Sequence, residues 1–197
     1  MTSLNSDQAL QQLMSGNQRY VTAQVTQLLH PHQTPQRRAE VAQGQHPFAI
    51  ILSCADSRVP PEIVFDQGLG DLFVVRVAGN IVDDVVTGSI EYAAEHLHVP
   101  LLVVMGHSKC GAVAATVAGG EVPGHLPSLV QAIQPAVDKA KGQLGDLLDN
   151  AIKANVALVV EQLKSSQPIL AHLVHEGKLK VVGARYDLES GAVDVIA

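Results

Sequence analysis

Three short apolar runs mark the positions of buried strands along this chain. Residues 48–53, 72–77 and 101–106 are apolar almost throughout and rich in branched side chains. Because these runs lack the apolar–polar alternation of a half-exposed strand, we expect each strand to be covered on both faces. Residues 83–97 repeat apolar positions at helical spacing, so the order strand, helix, strand predicts a right-handed parallel crossover.

Capping and stop signals predict helices over most of the remaining chain. A first helix covers residues 6–16, where Gly16 is expected to end it in a left-handed conformation. Thr34 is expected to cap a second helix over residues 35–44. The later predicted elements are listed in chain order: a helix over 110–118, a helix capped by Ser128 and kinked near Pro135, helices over 146–165 and 168–177, and a hairpin of strands 179–186 and 193–196.

These elements predict the fold class and the domain organisation. We expect an α/β protein with a mainly parallel central β-sheet, an antiparallel edge strand and helices on both faces. The 197 residues suit one domain rather than two. Within residues 1–197 we expect an N-terminal helical arm over 1–44 and an α/β core over 45–197.

Composition and charge exclude several classes of partner. The chain is 47% hydrophobic and 16% charged, which is typical of a globular protein. Its net charge of −6, without a cluster of Lys or Arg, argues against a nucleic acid or an anionic membrane as partner. We see neither an apolar run long enough to span a membrane nor the pattern of a signal peptide, and therefore expect a soluble, cytoplasmic protein.

Candidate metal ligands follow two of the three apolar runs. Cys54 and His107 stand where parallel strands end, and such ends meet at one edge of a sheet. Cys110 begins the next helix, whose dipole favours a thiolate. With Asp56, these side chains supply the two sulfurs, the imidazole and the carboxylate of a tetrahedral zinc site. The alternatives are two inert buried thiols, a hydrogen-bonded core histidine at 107, and a carboxylate at 56 that caps the helix suggested near Pro60.

Arg58 decides between two kinds of zinc site. An arginine two residues from Asp56 can hold its carboxylate in a charge-assisted pair, in competition with the metal. If Arg58 holds Asp56, the fourth position opens to water, which zinc converts into a nucleophile. If the metal holds Asp56 instead, the zinc is structural. The remaining alternative is that Asp56 and Arg58 form an ordinary surface ion pair in a turn.

Three motifs resemble those of one enzyme family, the β-class carbonic anhydrases. They are CADSR at 54–58, FVVRVAGN at 73–80 and GHSKCGA at 106–112, and the similarity extends over most of the chain. The resemblance implies reversible hydration of carbon dioxide to bicarbonate and a proton, with one Zn²⁺ per subunit. It makes Cys54, His107 and Cys110 the permanent ligands. Asp56 then either completes a closed site or pairs with Arg58 in an open one.

The same resemblance implies a substrate pocket shared between subunits. Gln45 stands nine residues before Cys54, as does the family's substrate-binding glutamine. Phe73 and Tyr92 match aromatic pocket positions, and all three come from the neighbouring subunit in that family. The implied assembly is a homodimer or a dimer of dimers, with the N-terminal arm wrapping the partner. Two further pocket residues are implied: Ala78, where the family often has valine, and Gly111.

Other interpretations of these residues remain open at this stage. Phe73 also suits a strand core, Tyr92 a helix-packing position and Gln45 a loop. The same site can act on another linear gas, such as carbon disulfide or carbonyl sulfide. A third hypothesis is a non-catalytic zinc-stabilised binding module in which Asp56 never leaves the metal. The intact Asp-x-Arg pair and Gln45 favour the enzyme, because a purely structural site needs neither.

Overall fold

Five strands form one sheet at the centre of the protein. They are β1 (Ala49–Ser53), β2 (Leu72–Arg76), β3 (Leu101–His107), β4 (Lys180–Tyr186) and β5 (Val193–Val195). Their order across the sheet is β2-β1-β3-β4-β5. Neighbours are parallel except for β5, which runs antiparallel to β4 at the edge. This computed structural model describes residues 4–23 and 34–197, so parts of the predicted arm, residues 1–3 and 24–33, lie outside the described residues.

Eight α-helices surround the sheet in the part of the chain that the structure describes. They are α1 (Ser6–Val21), α2 (Pro35–Val41), α3 (Pro61–Val64), α4 (Asp84–Glu91), α5 (Gly111–Ala118), α6 (Leu126–Ala140), α7 (Leu147–Lys164) and α8 (Ile169–His175). A 3-10 turn at Ala78–Asn80 follows β2, and a π-helical turn at Tyr92–His96 extends α4. The predicted fold, a mainly parallel sheet with an antiparallel edge, flanking helices and an N-terminal helix, is confirmed. No helix among the described residues is long and apolar enough to cross a membrane.

Two apolar clusters contribute to the core. Ile51 and Val103 belong to the cluster that includes residues of α1, α5 and α6, and Leu52 and Val104 to the one that includes residues of α4, α7 and α8. All residues of β1 and β3 are buried, as predicted for strands covered on both faces. The same prediction is wrong for β2, whose residues are only half-buried, with Arg76 exposed, because this strand lies at the edge and pairs with β1 alone.

Gly16 lies within α1 and does not end the helix. Asn5 caps the start of the helix, because its side chain accepts a hydrogen bond from the backbone N–H of Gln8 at 2.9 Å. The helix then continues to Val21, so the predicted stop at Gly16 is wrong. A Cβ at Gly16 would lie 1.8 Å from the carbonyl oxygen of Phe65, which shows that the helix needs a glycine there to approach that backbone. In this chain α1 therefore packs against its own core.

A Gly16→Ala substitution is expected to lower the free energy of unfolding by about 3 kcal/mol, because the new methyl group would meet backbone. Gly88→Ala in α4 is a matched control, since no atom of the described residues lies within 4 Å of a Cβ there. It should raise the free energy of unfolding by about 0.5–1 kcal/mol, through helix propensity alone. Urea unfolding of the two variants measures both effects, and equal stabilities would contradict the packing role of Gly16.

The start of α6 also differs from the prediction. The helix begins at Leu126, with His125 at the N-cap position, and Pro127 occupies its first turn. Ser128 is not the cap, because it lies inside the helix and its Oγ donates to the carbonyl of His125 at 2.7 Å. Pro135 stands within this helix, which continues to Ala140.

Candidate metal centre

Two strand ends and one helix start bring three ligand side chains together. Cys54 directly follows β1 and His107 ends β3, which pairs with β1 in parallel. Lys109 adopts a left-handed conformation (φ 56°), and Cys110 then stands at the N-cap position of α5. One donor atom from each of the three predicted ligands lies within 4.8 Å of the others, and all three residues are buried.

The donor set fits a tetrahedral zinc ion. The sulfurs of Cys54 and Cys110 are 4.0 Å apart, and two thiolates on one zinc ion would lie at roughly 3.8 Å, given Zn–S bonds of about 2.3 Å. His107 Nδ1 is 2.9 Å from the carbonyl oxygen of Ser108. Because a carbonyl only accepts, Nδ1 carries the proton and Nε2 keeps a free lone pair. Among the described residues, Nε2 has no hydrogen-bond partner although it is buried, so His107 is not a core histidine with both ring nitrogens hydrogen-bonded.

The pKa values of the two thiols are shifted in opposite directions. A hydrogen bond from Cys110 lowers the pKa of Cys54, and a hydrogen bond from the Gly79 backbone acts in the same direction. The same Cys54–Cys110 bond, together with burial, raises the pKa of the Cys110 thiol. Both cysteines are free thiols, so both sulfurs are open to ligation. The interpretation of two inert thiols is therefore unnecessary, because their sulfurs share one site with His107.

Asp56 is held by Arg58 beside the ligand site. The guanidinium donates to both carboxylate oxygens, at 2.9 and 2.7 Å, and the Arg58 backbone N–H adds a third bond at 2.9 Å. The arginine holds the pKa of Asp56 well below its usual range, so the carboxyl group is ionised at neutral pH. Asp56 Oδ2 lies 3.9 Å from Nε2 of His107.

The position of Asp56 answers two of the sequence alternatives. It does not cap α3, whose N-cap residue is Pro60 and has no side-chain cap bond. It is also more than a surface ion pair in a turn, because its side chain is only 17% exposed and faces the imidazole. The geometry matches the open arrangement, in which Arg58 rather than a metal holds the carboxylate.

Arg76 stabilises this turn, a role that the sequence analysis did not predict. Its Nε donates to the carbonyl of Cys54 at 3.0 Å, and another guanidinium nitrogen donates to the carbonyl of Asp56 at 2.6 Å. Arg76 thus fixes the backbone that carries both side chains. The signal was present, since Arg76 lies in the FVVRVAGN motif, but only the pairing of β1 with β2 shows what it contacts.

Gly79, in the same motif, contacts the ligand site through its backbone. Its N–H donates to the sulfur of Cys54 at 3.3 Å. The residue has a φ of 72°, and a Cβ there would lie 2.7 Å from Cδ1 of Ile133. The left-handed conformation therefore favours glycine at this position, and a Cβ would require the end of the Ile133 side chain to shift.

The predicted pocket residues fall into two groups. Ala78 precedes Gly79 and Gly111 follows Cys110, so both stand beside the ligand site. Phe73 pairs with Ile50, four residues before Cys54, which places it about 13 Å along the strand from the site of its own chain.

Of the other two pocket residues, Tyr92 lies beside Phe73 and Gln45 lies before β1. Tyr92 is 48% exposed, and its ring centroid lies 6.2 Å from that of Phe73. Gln45 is exposed and precedes β1, at the opposite end of the strand from Cys54. The fold therefore does not bring these aromatic residues, or Gln45, to the ligand site of their own chain.

Comparisons with known proteins identify relatives of the whole chain. The family model described as carbonic anhydrase matches residues 49–193. A carbonic anhydrase of Mycolicibacterium smegmatis is 41% identical over 199 residues, covering 99% of this chain and 95% of that protein. Carbonic anhydrase 2 of Mycobacterium tuberculosis is 40% identical over 195 residues, covering 97% of this chain and 93% of that protein.

Solved structures share the fold over nearly the full length. A tetrameric β-carbonic anhydrase of Sordaria macrospora has a TM-score of 0.77 at 26% identity, covering 93% of this chain and 94% of that one. The Coccomyxa β-carbonic anhydrase in complex with acetazolamide has a TM-score of 0.75 at 27% identity, covering 93% of this chain and 84% of that one.

Proposed function

This chain belongs to the β-carbonic anhydrase family, whose members are zinc lyases. We propose how its own residues carry out the hydration of carbon dioxide. The protein hydrates carbon dioxide reversibly to bicarbonate and a proton, with zinc as its cofactor. We assign the zinc ligands to Cys54, His107 and Cys110. The observation that carries this assignment is the meeting of two free thiols and an unpartnered imidazole nitrogen at one buried point.

Asp56 and Arg58 orient the nucleophile in this proposal. When bound, zinc supplies the Lewis acidity that lowers the pKa of water and so provides a nucleophile near neutral pH. The ionised Asp56 carboxylate accepts a hydrogen bond from that nucleophile and directs it at the carbon of the substrate. Arg58 keeps the carboxylate in place through its bidentate pair.

The pairing of Asp56 supports catalysis over a structural role for zinc. With three protein ligands, zinc keeps one open position, which is the pattern of catalytic sites. A binding module in which Asp56 never leaves the metal would not need the carboxylate turned toward Arg58. The three bonds that Asp56 accepts from Arg58 support the arrangement in which the arginine, and not a bound zinc ion, would hold the carboxylate.

The substrate pocket is proposed to combine residues of two subunits. Ala78 and Gly111 lie beside the zinc ligands of their own chain and are proposed to line the apolar part of the substrate pocket. Gln45, Phe73 and Tyr92 are proposed to reach the site of the partner, where the glutamine amide donates to a substrate oxygen. The strand register supports this division, since it places Phe73 about 13 Å from its own Cys54.

We propose a homodimer as the smallest active unit, with a dimer of dimers as the larger assembly. The tetrameric Sordaria macrospora relatives support an oligomer. The half-buried edge strand β2 and the exposed Tyr92 provide surface for such a contact. Residues 1–44 are proposed as an N-terminal helical arm, whose helix α1 packs on its own core, and residues 45–197 as the catalytic core.

A cytoplasmic location completes the proposal. Cys54 and Cys110 must both stay reduced to ligate zinc, and their sulfurs lie only 4.0 Å apart. A reducing compartment keeps such neighbouring thiols from being oxidised.

The proposed activity is tested by stopped-flow hydration of carbon dioxide. Protein loaded with one zinc per chain should be active, protein stripped by a chelator should be inactive, and added zinc should restore the rate. Parallel assays with carbon disulfide and carbonyl sulfide distinguish the other linear gases as substrates. A zinc-loaded protein without hydration activity from neutral to alkaline pH would contradict the proposal and favour a binding module.

A further inference from the structure

A buried amide on α7 is connected to the sulfur of Cys54 through the backbone of Gly79. Asn155 is only 3% exposed, and its Nδ2 donates to the carbonyl oxygen of Gly79 at 2.8 Å. The N–H of the same glycine donates to Cys54 Sγ at 3.3 Å. Two hydrogen bonds thus join the middle of α7 to a proposed zinc ligand, although Asn155 lies about 100 residues from Cys54 in the sequence.

The packing of α7 does not by itself require an amide at this position. The neighbouring buried residues of the helix, such as Ile152, Val156 and Val159, are apolar. Asparagine is a weak helix former, and a buried amide is unfavourable unless it is hydrogen-bonded. The role of Asn155 is therefore to be found in the bond that it makes, which is the one to the Gly79 carbonyl.

The turn that receives this bond needs an external support. Gly79 has left-handed dihedral angles (φ 72°, ψ 14°), and Asn80 after it also has a positive φ of 43°. A positive φ strains the non-glycine residue Asn80, and glycine at position 79 adds conformational freedom rather than rigidity. A Cβ at Gly79 would lie 2.7 Å from Cδ1 of Ile133, so the residue has no side chain of its own to hold the turn. The Asn155 amide holds the turn from outside by fixing the peptide group that follows Gly79.

We propose that Asn155 is a positioning residue for the metal centre: it holds the Gly79 turn so that the glycine N–H donates to the sulfur of Cys54. A hydrogen bond to a thiolate withdraws negative charge from the sulfur and tunes the metal that the sulfur binds. Two thiolates make a zinc ion less electrophilic than neutral ligands would, and the Gly79 bond counteracts part of that loss. This inference rests on the proposed zinc ligation by Cys54.

The test compares Asn155→Leu with the wild type after substitution by cobalt(II), whose sulfur-to-metal charge-transfer band reports the electron density on the thiolates. Loss of the N–H···S bond should move this band to lower energy. The dissociation constant for zinc, measured by competition with a chelator, should rise about tenfold, as is usual when a residue that supports a ligand is removed. Asn155→Ala is measured beside it, so that a variant too large for the site does not decide the result.

Asn17→Leu is the matched control. Asn17 is also buried, and its bonds to the described residues are to backbone: it donates to Val64 O at 3.0 Å and Gly191 O at 2.8 Å and accepts from Val193 N at 2.9 Å. Its loss should reduce stability but leave the cobalt band and the zinc affinity unchanged.

The outcomes separate this inference from the proposed function. Wild-type band energy and zinc affinity in a folded Asn155 variant would overturn the positioning role. An equal band shift in the Asn17 control would overturn it as well, because the effect would then reflect general loosening of the fold. A wild-type protein that binds neither cobalt nor zinc would instead overturn the assignment of the metal centre itself.

Discussion

His107→Ala is expected to abolish the hydration of carbon dioxide, with a fall in kcat/KM on the order of a thousandfold or more. The substitution removes one of three protein ligands, and activation of water by zinc contributes several kcal/mol to such a reaction. Zinc content should fall together with the rate. His172→Ala is the control, because His172 is an exposed residue of α8 whose side chain is 63% accessible, and it should keep the activity and zinc of the wild type.

The same variant also tests whether two subunits share a site. Gln45→Leu should be weakly active by itself, because the substrate loses a hydrogen-bond donor. When Gln45→Leu and His107→Ala chains are coexpressed in equal amounts, half of the dimers are mixed, and each mixed dimer contains one site with both residues intact. About a quarter of the wild-type sites should therefore be recovered. No recovery would show that Gln45 acts within its own chain.

Arg58→Leu is expected to reduce kcat by about 100-fold or more while zinc remains bound. Without the guanidinium, the Asp56 carboxylate loses two of its three donor bonds and becomes free to occupy the fourth position on the metal. Loss of a preorganised charged contact at a reacting centre has effects of this size. Arg58→Lys should recover only part of the rate, because a lysine cannot make the bidentate pair.

Arg19→Leu is the control for Arg58→Leu. Arg19 lies on α1 and also forms an ion pair with an aspartate, Asp66. It should lose a little stability and no activity. Wild-type kcat in Arg58→Leu would contradict the role of the Asp56–Arg58 pair, and loss of zinc from that variant would show that Arg58 acts through ligation instead.

The positions of Cys54 and Cys110 at chain turns and the Asp56–Arg58 pair could be predicted from the sequence because their geometry is local. Cys54, Asp56 and Arg58 lie within five residues at one strand end, and the turn from His107 to Cys110 is four residues long. Continuous apolar runs also identified the fully buried strands β1 and β3. Each of these conclusions depends on the near sequence, where spacing determines which side chains can meet.

The features that the sequence analysis missed depend on contacts between distant segments. The same kind of apolar run forms a buried strand in β1 and a half-buried edge strand in β2, because sheet order is set by the whole chain. In the sequence, Gly16 resembles a residue that ends a helix. Only the structure shows that it packs against the carbonyl of Phe65. Arg76 and Asn155 support Cys54 from 22 and about 100 residues away, and no local pattern reveals such a bond.

The central claim is that zinc is held by three protein ligands while Asp56 stays with Arg58. A crystal structure of the zinc-loaded protein at mildly alkaline pH, with diffraction recorded at the zinc absorption edge, tests this most directly. We predict one anomalous peak per chain, bonded to Cys54 Sγ, His107 Nε2 and Cys110 Sγ, with a non-protein oxygen as fourth neighbour and the Asp56–Arg58 pair intact. A peak elsewhere, or an Asp56 oxygen as the fourth ligand at that pH, would contradict the account.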